Sequence, residues 1–270
     1  TLVLLGVSDS LVPFGAFSIA AVVSLLAGLG IAVSLRQSGA AAVGWRELMA
    51  SGRWLLVTGM VPNVAGFAIA SLIGSLAGTE ALGYAEGARL ASQPLTVLGV
   101  GLNASLGPRS MEAAYDRDRA AARRIAGVFT IIIVASALAA LVVSGAAWPW
   151  NPLAWLVPQA YELPGLTALM ILGGALAGIV MPAQRELFGG GYERPLAFIE
   201  IVASVVSVAV ATTTGVIGAY AMPASICISS LWRAAHYQRT LNRMYRTPGA
   251  TQDAGGVTAI TAVLHENTAG

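Results

Sequence analysis

Residues 125–147 read IAGVFTIIIVASALAALVVSGAA, 23 consecutive positions without one charged or amide side chain. At about 1.5 Å per residue a helix of that length reaches about 35 Å, enough to cross a hydrocarbon core of roughly 30 Å. No buried strand runs so far without a break. Arg117, Arg119, Arg123 and Arg124 precede the run, and Trp148, Pro149 and Trp150 follow it. Arginine before and amphipathic rings after is the signature of a segment threaded through a bilayer.

The same reading extends in both directions. Further apolar runs cover 1–9, 12–35, 53–77, 80–107, 163–187, 194–214 and 217–238. Of the 270 residues, 56% are hydrophobic and only 10% charged, and the mean hydropathy is +0.74. Soluble domains carry about a quarter of their residues charged, so this chain lacks the means to build a solvated surface. The predicted fold is all-α, a polytopic transmembrane bundle of about seven spanning helices. Pro62, Pro94, Pro182 and Pro223 fall inside runs, which a membrane bundle tolerates because neighbouring helices satisfy the freed carbonyls. The first run, TLVLLGV, has no basic stretch before it and no cleavage signal after it, so it reads as the tail of a span, not a signal peptide. The chain is accordingly expected to be a C-terminal fragment of a longer protein.

Arginine placement orients the bundle. All 15 basic residues are arginine. They gather in 36–53 (Arg36, Arg46, Arg53), in 108–124 (Arg109, Arg117, Arg119, Arg123, Arg124), at Arg185 and Arg194, and at Arg233, Arg239, Arg243 and Arg246. The intervening turns, near Gly78-Thr79-Glu80, across 148–163 and at Gly215, hold none. Fourteen of 15 arginines thus fall on one side, with Arg89 the exception. Basic residues concentrate in cytoplasmic loops, so the expectation is a multi-pass protein of the cytoplasmic (inner) membrane with a cytoplasmic C-terminus. Trp148, Trp150, Trp155 and Tyr161 would mark the outer interface, and Trp45, Trp54, Trp232 and Tyr237 the inner one. The segment 108–124 reads as a solvated loop, 148–164 as an irregular surface stretch with four prolines, and the polar tail 239–270 as disordered.

Several functions are excluded on composition. A net charge of +2 does not argue for nucleic acid, one cysteine, Cys227, forms no internal disulfide, and His236 and His265 make no ligand set. No paired carboxylates or nucleophile–base constellation is present, so no catalytic residue, cofactor or metal is assigned and the chain is not expected to be an enzyme. The glycines at 189–191 lack the strand and lysine that a nucleotide-binding loop needs.

Three segments carry a resemblance. Gly78-Thr79-Glu80-Ala81-Leu82-Gly83-Tyr84-Ala85, with Arg89-Leu90-Ala91 and Pro94, resembles the turn between the first two helices of each half in polysaccharide (O-antigen type) flippases. Pro108-Arg109 and the arginines to Arg124 resemble the turn between the second and third helices. Phe188-Gly189-Gly190-Gly191-Tyr192-Glu193-Arg194-Pro195 resembles the turn between the fourth and fifth. These flippases belong to the superfamily of multidrug and toxin extruders, oligosaccharide flippases and the lipid II flippase. The resemblance implies two six-helix halves around a central cavity and transport by alternating access. Residues 1–38 would then close the first half, 39–238 would form the second, and 239–270 would be a cytoplasmic tail. It further implies a lipid-linked oligosaccharide, carried on a polyprenyl diphosphate, as the substrate. The partners would be the bilayer, that glycan and other envelope polysaccharide biosynthesis proteins.

Transport needs a polar pathway, and few residues offer one. Arg89 lies about nine residues into its run, so about 14 Å along the helix, where a guanidinium costs at least ~2.5 kcal/mol unless it meets water or a partner. Glu86 is one turn earlier on the same face. The two fit either a cationic contact for a diphosphate or a structural pair reaching the outer interface. Glu200 fits an ion-coupling site or a partner for Arg194 or Arg185. Asn63, Gln93 and Asn103 fit either a sugar pathway or hydrogen bonds across helices. A drug or cation antiporter of the same superfamily is the alternative, and would place Glu200 in the pathway and Arg89 out of it. A membrane-embedded polysaccharide polymerase is the rival from another class, which the arginine-free outer loops disfavour.

Overall fold

The structure is a computed structural model that describes residues 45–145, 163 and 165–246. Apart from the first turn of α1, they lie in one compact unit within Met49–Gly255. Among them every regular element is helical: α1 Trp45–Leu76, α2 Gly78–Tyr115, α3 Arg119–Gly145, α4 Leu166–Ile179, α5 Met181–Gly189, α6 Glu193–Ala211, α7 Thr214–Ile217, a 3-10 turn Gly218–Tyr220, and α8 Ala221–Arg246. The runs 1–9 and 12–35, the stretch 148–162 and the tail after Arg246 lie outside the described residues.

The chain is a multi-pass membrane protein. Five stretches are long and apolar enough to cross a bilayer, Gly52–Leu76, Arg119–Ser144, Leu166–Gly189, Glu193–Ala211 and Thr214–Arg246. They match the sequence runs 53–77, 125–147, 163–187, 194–214 and 217–238. The sixth run, 80–107, is the core of α2, whose 38 residues extend about 57 Å, far more than one hydrocarbon thickness. It carries Glu80, Glu86, Arg89, Gln93, Asn103 and Arg109 along its length, and it packs against α3, α4 and α5.

Two expectations about loops are corrected. The segment 108–124 is not an extended loop. Helix α2 runs to Tyr115 and α3 starts at Arg119, so the turn is three residues. Asp118 accepts hydrogen bonds from the amides of Ala120 and Ala121, each at 3.0 Å, and caps α3. Likewise the tail expected from 239 onward is helical as far as Arg246. The cause is tertiary: Tyr237, Leu241 and Met244 repeat at helical spacing and are all buried against Leu187, Phe188, Leu196 and Ile199.

Proline and glycine set the breaks. The run 163–187 is divided into α4 and α5 at Val180, with Pro182 in the first turn of α5, where its missing N–H costs no hydrogen bond. Three clusters of apolar side chains hold the helices together. Ile69 and Ile73 of α1 meet Ala85, Ala88, Leu166 and Met170 near the arginine-poor end. Leu95, Phe129, Ile133 and Ile171 fill the middle of the α2–α3–α4 packing. The cluster around Tyr237 and Met244 closes the arginine-bearing end. There Gly189 lets α5 touch α2, because any Cβ would lie 2.5 Å from Met111 Cα.

Candidate functional site

Helix α2 supplies most of the candidates. Arg89 Nε donates to Glu86 Oε2 at 2.6 Å, and the side chains keep 49% and 38% of their exposure. Gln93 follows one turn later and is half-buried, and Thr96 is exposed after it. Within α2, Leu90, Val97 and Val100 are exposed beside them. Ala85, Ala88, Ala91, Ser92, Leu95 and Gly99 form the opposite, buried face. The helix therefore presents its charged and amide side chains at the margin of its open face, while alanine, serine and glycine make the tight contacts with α4 and α5.

Asn103 and Arg185 meet at the other end of α2. Arg185 Nε donates to Asn103 Oδ1 at 3.0 Å. The guanidinium carbon stands 6.0 Å from the centre of the Phe188 ring. A Cβ on Gly107 would touch Arg185 Cγ at 3.6 Å and Cδ at 3.8 Å, so the arginine stem lies over that glycine. The sequence offers Arg185 as a partner for Glu200, whereas the structure links it to an asparagine 82 positions away, a contact with no local signal.

Glu200 is buried among protein groups. Arg233 Nε donates to Glu200 Oε2 at 3.0 Å, and the Tyr237 hydroxyl donates to Glu200 Oε1. Its carboxylate keeps 4% of its exposure. The expected partners, Arg194 and Arg185, are replaced by Arg233 and Tyr237, because α6 packs along α8. Tyr237 is thereby a core residue with 1% exposure, not an anchor at the inner interface. Trp232 stacks on His236 with ring centres 4.0 Å apart. Asn63 bonds within its own helix, donating to the Gly59 carbonyl at 2.7 Å, on an exposed face of α1.

A second polar set, unforeseen from sequence, ties the arginine-bearing ends together. The Tyr245 hydroxyl donates to Glu186 Oε1 at 2.6 Å. Arg119 donates to Asn242 Oδ1 at 2.5 Å and stands 5.4 Å above the Tyr245 ring. Arg117 donates to the Met244 carbonyl. Two arginines expected in a solvated loop thus fasten α3 and its preceding turn to the last turns of α8. Comparison with protein-family models, with curated proteins and with solved structures finds no match to this chain.

Proposed function

We propose that this chain is part of a transporter that flips a lipid-linked oligosaccharide across the cytoplasmic membrane by alternating access. The observation that carries the reading is the Glu86–Arg89–Gln93 margin of α2. Arg89 and Glu86 are half exposed on a helix whose neighbours are membrane spans. Facing acyl chains, a guanidinium costs at least ~2.5 kcal/mol even on the lenient scales. Facing a wet pathway it costs little, and its fork suits the oxygens of a diphosphate. The turns around Gly78, Pro108-Arg109 and Gly189–Pro195 support the same assignment through their resemblance to polysaccharide flippases.

In this reading the activity is transport without covalent chemistry. Arg89 meets the charged end of the glycolipid, and Gln93 and Asn103 line the path of its sugars. The arginine-bearing ends face the cytoplasm, as does the C-terminus. Glu200 has its charge balanced by Arg233 and its second oxygen occupied by Tyr237, which favours a structural role over ion coupling.

The test is charge reversal in a cell that depends on this protein for surface polysaccharide. Arg89→Glu is expected to abolish export while the protein still accumulates in the membrane fraction. Normal export from that variant refutes the role of Arg89.

A further inference from the structure

Two arginines beside the open face of α2, Arg89 on that helix and Arg185 on α5, differ in one respect. Arg89 is neutralised by Glu86 at 2.6 Å. Arg185 forms no ion pair among the described residues. Its Nε is held by a neutral amide, Asn103, at 3.0 Å, its stem lies over Gly107, and its guanidinium carbon stands 6.0 Å from the centre of the Phe188 ring. An arginine anchored through Nε still presents its two terminal nitrogens as a fork. Half-buried and already ordered, it has little rotamer freedom left to lose on meeting an anion.

Its place near the end of a membrane span points to the class of anion. Arg185 stands in α5, four residues before Gly189, the end of the span Leu166–Gly189. One turn from the end of its span on the arginine-bearing side, a long arginine side chain reaches toward the headgroup level, where lipid phosphates lie. On α2 the small side chain of Ala104 is exposed at the flank of the face that carries Asn103 and Gly107. Arg89 is 14 residues away along the same helix, about 21 Å toward the opposite leaflet.

We propose that Arg185, set in place by Asn103, is a seat for the phosphate of a membrane lipid on the arginine-bearing side of the bilayer. The lipid is either a prenyl diphosphate or an ordinary anionic phospholipid, since both offer the oxygens that a guanidinium fork pairs with. The first source rests on the transport reading given above. The second does not.

Binding to the purified full chain in neutral detergent decides both questions. The probes are geranylgeranyl diphosphate, geranylgeraniol and dioleoylphosphatidylglycerol. Geranylgeranyl diphosphate is expected to bind and the uncharged alcohol to bind at least tenfold more weakly. Arg185→Gln, which keeps a donor for Asn103 but removes the charge, weakens the diphosphate about tenfold. Arg185→Lys recovers part of that loss, and Asn103→Ala weakens binding about threefold by releasing the guanidinium. Arg239→Gln, an exposed arginine on α8, leaves affinity unchanged. Equal affinity in Arg185→Gln and the parent, with both monodisperse, overturns the seat, as does an equal loss in Arg239→Gln. If phosphatidylglycerol binds as tightly as the diphosphate and depends equally on Arg185, the seat stands and its occupant is bulk lipid. The flippase reading then rests on the loss of export in Arg89→Glu alone.

Discussion

Replacing Gly189 by alanine should separate two helices that the fold holds in direct backbone contact. A Cβ at this position falls 2.5 Å from Met111 Cα and 2.7 Å from its carbonyl carbon, whereas ordinary contacts begin at 3.4 Å. These are backbone atoms in α2 and no rotamer change relieves them. The end of α5 must therefore retreat from α2 by the better part of an ångström, loosening the buried packing of Leu187, Phe188 and Ala114. Overpacking of this kind costs about 1–3 kcal/mol, with the upper part of the range expected here because backbone has to yield. At roughly 2–4 °C per kcal/mol for a body of this size, the apparent Tm should fall by about 4–12 °C. The assay is size-exclusion chromatography after heating in detergent, read by tryptophan fluorescence. Two controls isolate the cause. Gly101→Ala has nothing within 4 Å of its new methyl group and should hold or raise the Tm, since alanine is the better helix former by about 1 kcal/mol. Gly190→Ala meets only the sulfur end of Met244 and the Glu186 carbonyl. The flexible thioether can turn aside, so its loss should be the smaller of the two. A Gly189→Ala protein as stable as Gly101→Ala would refute the argument that α5 and α2 are held at glycine distance.

Glu200→Ala leaves the Arg233 guanidinium without its carboxylate in a mostly buried setting and should cost about 3–5 kcal/mol. The double variant with Arg233→Ala should recover a substantial part of that loss in the same heating assay, and purely additive effects would mean the pair is not coupled. Orientation is checked by cysteine labelling in a Cys227→Ser background. Thr79→Cys, exposed at the arginine-poor turn, should react with an impermeant maleimide on intact cells. Gln238→Cys, exposed on α8, should react only after permeabilisation, and the reverse pattern would invert the predicted topology. Asp118→Ala removes the cap that accepts two amides at 3.0 Å at the start of α3. It should lower stability by about 1 kcal/mol, while Asp118→Asn, which keeps an accepting oxygen, should lose less.

Sequence alone determined the solvent and the segments. Each apolar run must satisfy its own backbone hydrogen bonds in hydrocarbon, and a helix does that locally, so 125–147 and its companions were legible without any knowledge of their neighbours. The Glu86–Arg89 pair was legible for the same reason, since one helical turn separates the two residues. The ends of the helices were less so. Tyr115 and Arg246 lie beyond the apolar runs, and those outer turns bury their surface only in tertiary packing, where Ala114, Leu241 and Met244 meet Leu187, Phe188 and Leu196. Tertiary structure alone decided which polar groups meet. Arg185 finds Asn103 across 82 positions and Arg233 finds Glu200 across 33. A span exposes several faces to several neighbours, and composition does not say which face meets which. For Arg185 that choice follows from the backbone approach of α5 to α2 at Gly189 and from the room that Gly107 leaves for the arginine stem. Together they seat it on Asn103 with no ion pair among the described residues.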